Sequence, residues 1–148
     1  MQLMQMIFGR RGPPRLAKPP KGVVWREIRP KQEGDPVAAR LAEKNGVISS
    51  PRGHLRFRAG SDYIVTRPDE QSVVSAKIFE RTYQARPDGR YEKRTDVIYK
   101  YFTLPVPVNV ATPEGPQIAA PGDWIIQGLD GELWPVTPER ADAIYEHS

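Results

Sequence analysis

The acids that could form a carboxylate site are Glu114, Asp123, Asp130, Glu132 and Glu139, all in the C-terminal part of the chain. Two carboxylates on one face can divide general acid–base work, one protonated and one ionised. Asp123 and Asp130 stand at turn positions, however, and Glu139 follows Thr137-Pro138 at a helix start, so each has a structural role of its own. Histidine offers only His54 and His147, which is too little for a histidine metal site or a histidine general base. His54 lies in the turn Ser50-Pro51-Arg52-Gly53-His54 and reads as a solvated residue. The chain has no cysteine, which removes disulfides, thiolate nucleophiles and cysteine-bound zinc and fits a reducing compartment. Its glycines lie before or between strands, not between a strand and a helix, so no phosphate loop is expected. There is no Gly-x-Ser-x-Gly elbow. No catalytic, metal-ligating or cofactor-binding residue is expected, and no cofactor.

A second chemistry is carried by the N terminus. Arg10, Arg11, Arg15 and Lys18 form a basic cluster beside Phe8, and such cations suit phosphate backbones, where each neutralised phosphate releases counterions. Pro13-Pro14 and Pro19-Pro20 remove backbone donors and favour an extended arm. Charge is graded along the chain. Residues 1–31 carry eight Lys and Arg against Glu27, residues 32–100 thirteen against ten acids, and residues 101–148 Arg140 alone against seven. A basic end and an acidic end imply a polyanionic partner, head-to-tail association, or an acidic half that holds its own arm. The apolar residues Met1, Leu3, Met4, Met6, Ile7 and Phe8 favour a protein groove over nucleic acid for this arm. No apolar run reaches the roughly 18 residues of a membrane span, and the arginines after Phe8 argue against a secretory leader.

The elements that would position these groups follow from turn and cap signals. Strands are expected at 23–28, 47–48, 55–58, 63–67, 72–76, 97–102 and 106–110. A helix is expected over 36–45, with Asp35 as cap, Pro36 in the first turn and Gly46 as its left-handed end. A two-turn helix is expected from Ala76 to Tyr83. Pro121-Gly122-Asp123 reads as a tight turn in which Asp123 bonds its downstream backbone. Asp130-Gly131 then joins the strands of Trp124 and Trp134 into a hairpin. Thr137-Pro138-Glu139 starts a last helix that turns Ala141, Ile144 and Tyr145 inward.

The stretch from Pro121 to Tyr145 has an earlier, degraded counterpart. Asp62-Tyr63-Ile64-Val65 matches Asp123-Trp124-Ile125-Ile126 at an offset of 61, Tyr83 matches Tyr145 at 62, and Pro51-Arg52-Gly53 matches Pro113-Glu114-Gly115 at 62. Two unrelated hairpins sharing turn residues are the alternative to a duplication. The expected organisation is a basic Pro-rich arm at 1–22, a first repeat at 23–86 and a second at 87–148. The expected class is α+β: two related β-hairpin-plus-helix units packed as one domain, with an extended N-terminal arm.

The residues PGDWIIQGLDGELWPVTPERADAIYE, preceded by Tyr91-Glu92-Lys93-Arg94, resemble the small bacterial and bacteriophage proteins defined by a PGDYG or PGDW motif. The resemblance covers residues 91–146 well and 47–84 weakly, with Gly60-Ser61-Asp62 in place of the PGD turn. It implies a small bacterial or phage protein of no established activity and brings no catalytic residue. The motif residues Pro121, Gly122, Asp123, Trp124, Asp130, Gly131 and Tyr145 are thus read as structural. Candidate partner contacts are Arg10, Arg11, Arg15, Lys18, Phe8 and Trp134. The expected function is a non-enzymatic protein-binding or assembly module, cytoplasmic or virion-associated, that binds a protein partner or itself. The alternatives are a nucleic-acid-associated protein using the arm, and an enzyme with a small-ligand site between the repeats.

Overall fold

A computed structural model describes residues 12–31 and 36–148. Among these the chain is mostly β, with fifteen strands and two helices of seven residues each. The expected α+β class of hairpin-plus-helix units is therefore incorrect. One local misassignment contributes to it. The segment expected as a helix at 36–45 holds strand β3 (Ala38–Leu41) instead, and Asp35 lies outside the described residues. VAARLA contains good helix formers, but propensity is a weak prior where a neighbouring strand offers a full ladder of hydrogen bonds. Here β6 (Asp62–Thr66) offers it, pairing Ala38 with Thr66 through Leu41 with Tyr63. Gly46, expected as a left-handed helix end, does not have positive φ. It begins β4 (Gly46–Ser50), where a Cβ would lie 2.4 Å from the ring of Phe57.

The 61- to 63-residue offset carries over into strand pairing. In the first half β4 pairs with β5 (Gly53–Phe57), and β6 with β7 (Gln71–Ser75). Helix α1 (Ala76–Thr82) and β8 (Tyr83–Ala85) follow. In the second half β11 (Val108–Thr112) pairs with β12 (Gly115–Ala119), and β13 (Trp124–Gln127) with β14 (Leu133–Val136). Helix α2 (Pro138–Ile144) and β15 (Tyr145–His147) follow. Both helices start the same way, the hydroxyl of Ser75 or Thr137 accepting from the N–H three residues on. Both end where Tyr83 or Tyr145 turns extended.

The two halves exchange a strand. β2 (Arg26–Pro30) precedes the first half in the chain, yet it lies in the second half's sheet, between β10 (Tyr99–Phe102) and β15. β9 (Tyr91–Lys93) precedes the second half, yet it pairs with β8 and, through the Val37–Tyr91 bridge, sits beside β3. The registers correspond. Ile28 faces Tyr99 and His147, and Tyr91, 63 positions on, faces Val37 and Ala85. Neither half completes its sheet with its own residues.

Alternation along β13 sends side chains to two cores. Trp124 and Ile126 join Ile28, Tyr99, Tyr101 and Tyr145, with the Trp124 ring stacked on Tyr101 at 3.8 Å between centroids. Ile125 and Leu133 point the other way, among Phe102, Val108 and Val110. In the first half a smaller core gathers Val37, Val65, Phe79 and Tyr83.

At the junction of the halves the tips of the two β-hairpins meet backbone to backbone. Arg56 N–H donates to the Glu114 carbonyl at 2.8 Å, and Ile118 N–H to the Arg52 carbonyl at 3.0 Å. These contacts are related by the same offset of 62. Gly53 and Gly115 stand at their centre, with φ of 144° and 140°.

The described part of the arm lies on the second half of its own chain. β1 (Arg15–Leu16) pairs in parallel with Asn109 and Val110 of β11, and Leu16 packs on the core there. Arg15 and Lys18 are exposed, while Arg10, Arg11 and Phe8 lie outside the described residues. Among the described residues no helix is long and apolar enough to cross a membrane.

Candidate functional site

Because hairpin, helix and closing tyrosine recur, the two halves face each other across a cleft. It encloses about 810 Å³ and takes its walls from both: Ile78 and Tyr83 from the first, Trp134, Ile144 and Tyr145 from the second. Each helix is tied to the opposite half's hairpin turn. Arg81 of α1 pairs with Asp130, and Arg140 of α2 with Asp69 and Glu70.

Lys93 is placed in this cleft by the exchanged strand β9. Its Nζ lies 5.3, 5.5 and 5.0 Å from the ring centroids of Tyr83, Tyr99 and Tyr145, within the range of cation–π attraction. It donates a hydrogen bond to the Tyr145 hydroxyl at 2.8 Å. Arg67 donates to the Tyr83 hydroxyl at 3.1 Å. The two tyrosines that close the two halves each receive a cation in this way.

Burial acts to lower the Lys93 pKa, but the phenols of Tyr145, Tyr83 and Tyr99 outweigh it, and the net shift is well upward. The upward shift favours the ammonium form of Lys93. Burial pushes the Tyr99 phenol up to about 12. Burial would raise Tyr83 too, but Lys93 and Arg67 beside it more than reverse the effect, and its pKa falls below the ordinary phenol value.

The cleft continues to the hairpin junction, where the pseudo-symmetry breaks in charge. Arg52 donates to Asp123 Oδ2 at 2.7 Å, and the same oxygen accepts from Ala120 N–H at 3.0 Å. Asp123 therefore bonds upstream, not to its downstream backbone as expected. In the other half, 62 positions after Arg52, stands Glu114, and it faces Asp62, the counterpart of Asp123. Burial, together with Asp62 and Glu132, pushes the Glu114 carboxyl up to about 7.

A carboxyl raised from 4.5 to about 7 on folding holds its proton in the folded state at pH values where the unfolded chain has lost it. Its contribution to stability is fully present below pH 4.5 and is lost as pH rises through 7. Glu114→Gln is expected to stabilise the protein at pH 8 by on the order of 1 kcal/mol, and to have little effect at pH 4. Urea unfolding of both proteins across that range is the check. An equal effect at the two pH values would show that Glu114 is not the titrating group.

Trp124, Asp123 and Tyr145 are buried, and Pro121, Gly122, Asp130 and Gly131 form exposed turns on either side of β13. Trp134 is half-buried against the core of Trp124, Tyr99 and Tyr145 and contributes to the cleft wall, its ring edge-on to Tyr99 at 5.8 Å. Arg15 and Lys18 lie on the arm and are not among the lining residues. Sequence reasoning passed over Lys93, Arg67 and Tyr99 as a set. Two signals lay near them: the coincidence of Tyr83 and Tyr145 at the repeat offset, and Lys93 within the Tyr91-Glu92-Lys93-Arg94 segment of the resemblance; the repeat itself did not point to Lys93, whose counterpart in the aligned registers is Pro30. Comparison of the chain with protein-family models, with curated proteins and with solved structures finds no match.

Proposed function

We propose that this protein is a non-enzymatic binding module and that the cleft between its two halves is the binding site. One observation carries the proposal: a cavity of about 810 Å³ with walls from both halves and Lys93 inside it. Ligand sites are of this size, predominantly apolar with a few convergent polar groups, and favour junctions between homologous units. The non-enzymatic part rests on the carboxylates of the cleft lining, of which Asp69, Glu70, Asp123 and Asp130 are each held in an ion pair with an arginine.

Ser72 lies on the cleft wall, half-buried on β7. Ser72→Trp is expected to fill the cleft beside Arg67, which donates to the Ser72 hydroxyl at 3.4 Å, while leaving the three cores intact. Small molecules that raise the melting temperature of the wild-type protein should leave that of the variant unchanged. Compounds that stabilise both proteins equally would place binding elsewhere on the surface.

A further inference from the structure

We propose that the cleft receives a small amphipathic organic anion, its oxyanion head held by Lys93, Arg67 and the hydroxyls of Tyr83 and Tyr145, its apolar body against the cleft wall. The inference rests on the cleft being the binding site and adds the class of ligand.

Four donors converge here, and among the described residues no carboxylate is ion-paired to either cation; Asp69 near Arg67 is paired with Arg140. Lys93 donates to the Tyr145 hydroxyl at 2.8 Å and Arg67 to the Tyr83 hydroxyl at 3.1 Å. A phenol that accepts from a cation keeps its own O–H proton to donate. Among the described residues neither Tyr83 nor Tyr145 donates that proton to any acceptor, although both are more than nine-tenths buried. Lys93 also bonds the Tyr83 hydroxyl and Arg67 also donates to the Ser72 hydroxyl at 3.4 Å, but neither cation makes an ion pair within 4 Å among the described residues. The two cations also repel each other, since Arg67 acts to lower the Lys93 pKa. Buried donors without acceptors are costly, and charge-assisted bonds to an oxyanion are the strong way to satisfy them.

The carboxylates around the cleft do not fill this role. Asp69 and Glu70 are taken by Arg140, Asp123 by Arg52 and Asp130 by Arg81. Glu114 interacts with Glu132 and Asp62. A cationic head is disfavoured by the ammonium already present. Ile78, Trp134 and Ile144 supply the apolar wall for the body of the ligand. A carboxylate and a phosphate monoester share the required chemistry.

Calorimetric titration of the full chain with three probes that share a naphthalene body tests this: 2-naphthoate, 2-naphthyl phosphate and the neutral 2-naphthylmethanol. At least one anion is expected to bind tenfold or more tightly than the alcohol, and the tighter of the two identifies the head group. Lys93→Met should erase that preference, and Lys93→Arg should restore most of it. Because Lys93→Met also disturbs Tyr145, Arg67→Met serves as the second variant and should cut the preference severalfold. Equal affinity for alcohol and anions would overturn the anionic head while leaving the cleft as a binding site. Failure of all three probes to bind at millimolar concentration would also overturn it, and the Ser72→Trp comparison then judges the cleft separately.

Discussion

Gly115→Ala is expected to destabilise the protein by about 3 kcal/mol, from backbone strain and a forced contact together. Gly115 has φ of 140°, a region that L side chains rarely adopt. A Cβ there would lie 2.6 Å from the His54 carbonyl oxygen, and backbone cannot swing aside as a side chain can. Gly53 is its counterpart, with φ of 144° and a Cβ position 2.5 Å from the Pro116 carbonyl oxygen. Gly53→Ala should therefore cost about as much. For a chain of this size the melting temperature should fall by roughly 6–12 °C. Gly60→Ala separates the two causes. Gly60 has φ of 72° but nothing within 4 Å of its Cβ position, so strain alone should cost about 1 kcal/mol. Thermal unfolding of the three variants decides the matter. If Gly115→Ala melted within about 2 °C of Gly60→Ala, the close approach of the two hairpins would be wrong.

The second large effect is expected at the PGD turn. Asp123→Ala should cost about 3 kcal/mol, because it leaves the half-buried Arg52 charge with only the Ile118 carbonyl at 2.8 Å and frees the Ala120 N–H. The Asp123 side chain is 6% exposed and that of Arg52 20%, so the pair is partly shielded from the screening that makes surface ion pairs weak. The pair also joins the tip of one half's hairpin to the motif turn of the other, 71 positions away. Arg52→Ala alone should cost less, since Asp123 keeps the Ala120 N–H. A double-mutant cycle in urea should give a coupling of about 1–3 kcal/mol. Additive single mutants would mean that the turn, not the ion pair, accounts for the loss. Retention of the full coupling in 1 M salt would fit a shielded pair; its disappearance would fit an exposed one.

What was legible in the sequence was local. The Thr137 cap of the last helix, the tight turn at Gly122 and the hairpin at Asp130-Gly131 all follow from neighbouring residues. Turn and cap chemistry is settled within four or five positions, and the repeat offset is visible because those signals recur. The fold class was not legible, because a seven-residue helix and a strand of helix formers look alike in composition. Residues 38–41 became a strand because β6 offered them a partner, and such an offer comes from across the fold. The exchange of β2 and β9 was equally hidden. Arg-Glu-Ile-Arg-Pro and the aligned Gly89 to Lys93 share almost no pattern, so nothing in either segment says which half it joins. Only tertiary structure decides that, by the edge that lacks a neighbour. The exchange places Lys93 among three tyrosines drawn from both halves and thereby puts a cation inside the cleft. By itself the sequence determined where this chain turns; pairing between residues some 60 positions apart determined what those turns enclose.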